Sequence, residues 1–174
     1  VIHERAAAVK AMSGEISLDI WKKSERVKLN QFLATDAQGR LRLDVISPFG
    51  QPLTTLVSDG GRLMIYAVDK KRFFVGAATP ENLARLMPVN MSPDELSALL
   101  RGSVPLIKST TTDVAWDDQK GCYVLSLAND NRRQRLEIEP RYLRVTQLET
   151  RAEDVLIYRV RFGQYSGNKG AIIP

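Results

Sequence analysis

Apolar and polar residues alternate one by one through the first third of this chain, and that period excludes most folds. Ile16, Leu18 and Ile20 alternate with Glu15, Ser17 and Asp19. After a polar turn at Lys22–Ser24, Val27, Leu29 and Gln31 continue the pattern, with Phe32 and Leu33 both apolar at its end. After a second turn at Asp36–Gly39, Leu41, Leu43 and Val45 alternate with Arg40, Arg42 and Asp44. Strand side chains point alternately to opposite faces, so each segment has one apolar and one wet face. Three such segments joined by short turns predict an antiparallel meander.

The meander is interrupted at Ile46-Ser47-Pro48-Phe49-Gly50-Gln51-Pro52, where two prolines and a glycine fall within seven residues. Proline cannot donate to a ladder and glycine favours a turn, so no strand runs through here. Phe49 stands in the middle of that turn. Either the ring folds back to plug the open end of the sheet, or it stands in solvent to touch a partner or a lipid.

Leu53–Ser58 then reads as a strand, Asp59-Gly60-Gly61 as a hairpin turn, and Leu63–Val68 as a strand apolar on both faces. Such a strand is expected to be covered on both sides. After Asp69–Lys71, Phe73–Val75 supplies a sixth strand. Thr79-Pro80 opens a short helix that ends before Pro88. Ser92-Pro93-Asp94-Glu95 is a capping box. Leu96, Leu99 and Leu100 follow on one helical face, and Gly102 is the stop. Further strands are predicted over Ile107–Trp116 and Cys122–Leu127, around Leu136 and Ile138, from Leu143 through Gln147, and over Val155–Phe162. The alanine-rich Glu4–Met12 predicts a helix closed by Gly14, and Ser166–Pro174 a loop. The expected class is mainly β, with about eleven strands in two blocks split by a short helical insert. At 174 residues the chain suits a single domain.

Chemistry is sparse. The one cysteine, Cys122, sits beside Tyr123 and Val124, as a buried inert thiol would, and can form no internal disulfide. The one histidine, His3, is near the terminus, so neither a metal site nor a catalytic triad can be assembled. Asp117-Asp118 in a turn, and Glu137 and Glu139 on a strand's wet face, read as solvated charge. No phosphate-loop fingerprint occurs. The net charge of +5 comes from scattered clusters at Lys22-Lys23, Lys70-Lys71-Arg72 and Arg132–Arg135, which suits a solvated surface rather than a nucleic-acid reader. No run of 18 apolar residues exists to span a membrane. The expectation is a non-enzyme without cofactor or metal. The chain begins at Val1 rather than Met, which is compatible with removal of a signal or anchor segment and does not identify what precedes it.

The order of three strands, Ser47-Pro48-Phe49-Gly50, a hairpin, a helix pair and five more strands resembles the LolB branch of the LolA/LolB lipoprotein-localisation superfamily. Two motifs carry the resemblance. One is the Pro-x-Gly turn after the third strand. The other is Leu86-Met87-Pro88-Val89-Asn90-Met91 leading to Leu96–Leu100 and Arg101-Gly102-Ser103-Val104-Pro105. The resemblance implies an incompletely closed antiparallel β-barrel with a helical lid over an apolar cavity that takes lipoprotein acyl chains. It implies a periplasmic carrier protein as donor and the outer-membrane surface as destination. It places the chain on the periplasmic side of the outer membrane of a Gram-negative bacterium, lipid-anchored in full length. Leu41, Leu43, Val45, Leu56, Leu63, Ile65, Met87, Leu96, Leu99 and Leu100 are the expected cavity and lid residues. Pro48, Phe49 and Gly50 are the expected membrane-delivery loop. Phe49 stands where the family has leucine, no anchor cysteine is present, and the helical insert has few aromatics. Receptor and paralogue for another lipid therefore both remain open. The alternative reading is an envelope-stress sensor or assembly module of the same fold that binds a protein partner. A lipid-modifying hydrolase is a third, disfavoured by the missing bases.

Overall fold

The computed structural model describes residues 9–22, 25–47, 49–85 and 90–163, and within 18–29 the backbone only. The chain falls into two compact units, Val9–Arg101 and residues from Gly102 onward.

The first unit is a six-stranded antiparallel meander in sequence order: β1 (Ala11–Lys22), β2 (Glu25–Asp36), β3 (Leu41–Ile46), β4 (Pro52–Ser58), β5 (Arg62–Ala67) and β6 (Arg72–Ala77). Two helices follow, α1 (Pro80–Leu83) and α2 (Pro93–Leu100). Both start as their sequences dictate. The Thr79 hydroxyl accepts from the Asn82 amide, while Ser92 and Glu95 satisfy each other's backbone amides. Gly102 follows α2 at φ +74°, a left-handed conformation that suits glycine.

The second unit is a five-stranded antiparallel sheet in the order β11-β10-β9-β8-β7. Its strands are β7 (Thr111–Asp117), β8 (Cys122–Ala128), β9 (Arg132–Glu139), β10 (Arg144–Ala152) and β11 (Val155–Arg161). Leu127, Leu136, Ile138, Leu148 and Tyr158 are buried on this sheet. Gln134 is buried among them and holds the preceding irregular segment. Its Oε1 accepts from the Ile107 amide at 2.9 Å, and its Nε2 donates to the Pro105 carbonyl at 2.9 Å and to Thr150 Oγ1 at 3.1 Å. Among the described residues neither sheet closes on itself, since β1, β6, β7 and β11 each pair on one side only. The mainly β class, the split into six and five strands and the helical insert are as expected.

Several local expectations are corrected. Ala11 and Met12 are not helical. They begin β1, paired with Asp36 and Thr35, while Glu4–Ala8 lies outside the described residues. Gly14 ends nothing: it sits inside β1 opposite Leu33, with open space where a Cβ would stand. The strand expected from Ile107 starts at Thr111, because Gln134 takes the backbone of 105–107. Leu143 lies in a turn at φ +52° and β10 starts one residue later. The strand with two apolar faces is not covered on both, as Leu63 and Ile65 are buried but Tyr66 is exposed.

Candidate functional site

The ladder registers bring the expected apolar residues onto one face. Across the first sheet, Leu33, Leu43, Leu56, Ile65 and Phe74 are successive partners and form one transverse row. Beside it run Thr35, Leu41, Ser58, Leu63 and Gly76, and on the other side Gln31, Val45, Thr54, Ala67 and Arg72. Six expected residues, Leu41, Leu43, Val45, Leu56, Leu63 and Ile65, therefore share this face. All but the half-buried Val45 are buried. Leu33 was missed, although it lies two residues after Gln31 in the same alternation.

Helix α2 lies against β2 and β3. Leu96 is buried, and Leu99 and Leu100 are half-buried. Ser97 fixes the helix to the sheet. Its hydroxyl donates to the Asp36 carbonyl at 3.3 Å, which leaves its oxygen to accept from the buried Thr35 hydroxyl. The Asp94 carboxyl presses on the β2–β3 turn so closely that a Cβ at Gly39 would lie 2.5 Å from its Oδ1. Gly39, at φ +79°, is favoured by its backbone angle, while a Cβ there would only make the Asp94 carboxyl swing aside. Desolvation, and secondarily the Glu95 charge, raise the Asp94 carboxyl above the usual carboxylate range. Met87 and Pro48 lie outside the described residues.

The loop after β3 is organised by Ser47. Its hydroxyl accepts from the Phe49 amide at 3.3 Å and the Gln51 amide at 3.1 Å, while its carbonyl accepts from the Gly50 amide at 2.9 Å. Gly50 takes φ +79°. The chain is pinned, yet the Phe49 ring is 92% exposed. The ring does not plug the sheet. Beneath the loop opens a cleft of about 400 Å³ lined by Glu15, Ile16, Asn30, Gln31, Ile46 and Ser47. Gln31 is only 2% exposed, and its Oε1 has no hydrogen-bond partner among the described residues, at the edge of the apolar rows. The alternation places Gln31 on the apolar face, but nothing in the sequence shows that its carbonyl goes unmatched there.

The second sheet carries a charged face instead. Glu149 accepts from Arg151 at 2.7 Å and Arg159 at 2.7 Å, and these bonds, Arg151 first, hold its carboxyl below the usual range. Glu137 is not solvated as its sequence position suggested. It is bound by Lys120 and Arg135, which lower it likewise. Carboxylates locked to cations suit structure rather than proton transfer. Among the described residues no group of histidine, cysteine or acidic side chains could hold a metal ion, and no helix is long and apolar enough to cross a membrane.

No protein-family model and no curated protein sequence matches the chain. Solved structures do match in shape. A LolA superfamily protein from Nitrosomonas europaea aligns with 99% of this chain and 80% of its own at TM-score 0.67 and 10% identity. The chain has a LolA-like fold. This LolA-like chain is also similar to a DUF1329 family protein from Desulfovibrio piger, at TM-score 0.60 and 12% identity over 99% of this chain and 82% of that one. An outer membrane lipoprotein-sorting protein domain from Vibrio parahaemolyticus matches at TM-score 0.58 and 14% identity, over 98% and 79%. The LolA-like fold is thereby established, and the LolB branch is not distinguished.

Proposed function

We propose that this protein binds the acyl chains of lipoproteins through the apolar face of its six-stranded sheet, beneath α2, and delivers them to the outer membrane. The supporting observation is the block of adjoining rows on that face, centred on Leu33, Leu43, Leu56 and Ile65 with Leu41 and Leu63 beside them. Such a surface takes alkyl chains without directional bonds, at about 0.8 kcal/mol per methylene removed from water. Binding of this kind needs no catalytic group, and release needs only a destination of similar apolarity.

On this reading the whole chain works as one lipid-binding domain on the periplasmic side of the outer membrane. It takes cargo from a periplasmic carrier protein and is held by a lipid anchor in the full-length protein. Residues 79–100, divided by Pro80, Pro88 and Pro93, act as a lid that moves to admit cargo. The Pro48-Phe49-Gly50 loop meets the bilayer at delivery, its ring fully presented to solvent. Native mass spectrometry of the purified protein tests the proposal. Co-purified lipid, or uptake of an added triacyl lipopeptide, is the expected result. A protein that carries and takes up no lipid is instead an assembly module acting on a protein partner.

A further inference from the structure

The exposed large apolar side chains of unit Val9–Arg101, among its described residues, are Phe49, Leu53, Tyr66, Val68, Phe73 and Val75. They are not scattered. Tyr66 and Phe73 are ladder partners with ring centroids 6.5 Å apart, and the Val68 amide donates to the Leu53 carbonyl at 3.0 Å. Val75 pairs with Met64, which pairs in turn with Val57. Tyr66, Phe73 and Val75 are each one residue, and Leu53 three, from the Leu56–Ile65–Phe74 row, so the strand alternation puts them on the opposite, outer face, with Val68 in the turn at its end. Phe73 is 63% exposed and Val75 51% exposed. A lone exposed valine needs no explanation, but a contiguous patch of this kind marks an interaction surface.

The charge around the patch says what covers it. The β5–β6 turn lies at one end of the outer face and carries Lys70 and Lys71, both exposed and in no ion pair among the described residues, while Arg72 begins β6 in the inner row opposite Ala67. Asp69 is the one carboxylate in that turn. Asp44, on the outer face, is already engaged by Arg42 at 2.8 Å and by the Thr55 hydroxyl at 2.7 Å. In an antiparallel meander the β3–β4 loop and the β5–β6 turn fall at the same end of the sheet, so Phe49 stands at the cationic end of the patch. Apolar and aromatic side chains with a net cationic rim at one end complement an anionic phospholipid surface. Rings and aliphatic groups enter the interface while the cations meet headgroup phosphates.

We propose that the outer face of β4, β5 and β6, together with the Asp69–Lys71 turn, docks this protein onto an anionic phospholipid bilayer independently of cargo. This goes beyond the delivery loop: it adds a second, electrostatic contact and commits to headgroup charge as what it reads. Two cations near such a surface strengthen attachment by roughly thirtyfold, an effect that falls as salt shortens the screening length.

Vesicle co-sedimentation of the full chain without lipopeptide tests it, using phosphatidylglycerol/phosphatidylethanolamine vesicles against phosphatidylcholine vesicles. The expected result is tighter binding to the anionic vesicles that weakens with added salt. Lys70→Glu/Lys71→Glu should lower it at least tenfold. Phe73→Ser/Val75→Ser should weaken binding to both vesicle types. Should that core-adjacent pair misfold, the charge reversal on the exposed turn still decides the matter. Equal binding to the two vesicle types, no vesicle binding at all, or wild-type binding by the charge-reversed variant would each overturn the proposal. Phe49→Ala separates the two contacts: it should keep the salt-dependent share, and loss of that share would place the contact in the loop alone and refute the second surface. Lipopeptide uptake by the same preparation reports on cargo binding separately, so failure here and failure of the carrier reading remain distinguishable.

Discussion

Replacing Phe49 by alanine should separate folding from delivery. The ring is 92% exposed, so its removal takes almost nothing from the folded state, and stability should change by no more than about 0.5 kcal/mol. Were the ring a plug in the sheet, the same truncation would cost about 3–5 kcal/mol. Its contribution at a membrane is different. Inserting a phenylalanine side chain into an apolar medium is worth about 2 kcal/mol, so the variant should transfer cargo to liposomes roughly 30-fold less efficiently. Ser47 binds the Phe49, Gly50 and Gln51 amides through its hydroxyl and carbonyl, so the backbone that carries the ring is held. Urea unfolding reads the first quantity, and transfer of a fluorescent acylated peptide from protein to liposomes reads the second. A variant that is stable yet delivers at the wild-type rate refutes the role given to the loop. A variant that is destabilised by several kcal/mol refutes the exposure.

Three further outcomes are expected. Gln31→Leu should raise stability by about 1–3 kcal/mol in urea unfolding, because it removes a buried acceptor that has no donor among the described residues; a destabilised variant would show that the side chain is hydrogen-bonded. Ser97→Ala strands the buried Thr35 hydroxyl, costs about 1–3 kcal/mol and should speed amide exchange in α2, whereas unchanged exchange would mean the hydroxyl does not hold the helix. Glu149 is held below the usual carboxylate range by Arg151 and Arg159, so it binds fewer protons folded than unfolded. The stability it contributes is present above about pH 4.3, the unfolded value, and is lost as pH falls through its folded one. Glu149→Gln should flatten that acid limb in melting curves taken from pH 6 to 3, and an unchanged limb would assign it to other groups.

Much of the candidate site was legible because a period of two is both a structural and a chemical signal. Leu41, Leu43 and Val45 had to share a face, and hairpin turns of fixed length carried that face across to Leu56, Leu63 and Ile65. The helix starts were equally plain, since Thr79 and Ser92 satisfy backbone donors within three residues of themselves. Interactions set by distant partners were not legible. The alanine-rich stretch reads as helix locally, yet Ala11 and Met12 complete a long ladder with β2, and tertiary pairing outweighs a weak propensity. Ile107 begins an apolar run but loses its strand to Gln134, which is 27 residues away. Ser97 looks like an ordinary helix serine until Thr35, 62 residues away, meets it. The outer-face patch was hidden for a different reason. An apolar residue in a strand reads as core, and only the register showed Tyr66, Phe73 and Val75 facing away from it.

The central claim is that acyl chains lie on the face formed by β3, β4, β5 and α2. The most direct measurement is photocrosslinking with a triacyl lipopeptide that carries a diazirine on its acyl chain, with the labelled residues mapped by mass spectrometry. Labels on Leu43, Leu56, Ile65 and Leu96, lost in competition with unlabelled lipopeptide, are the predicted result. Labels confined to the charged face around Arg135, Glu149 and Arg159, or no competable label anywhere, would contradict it.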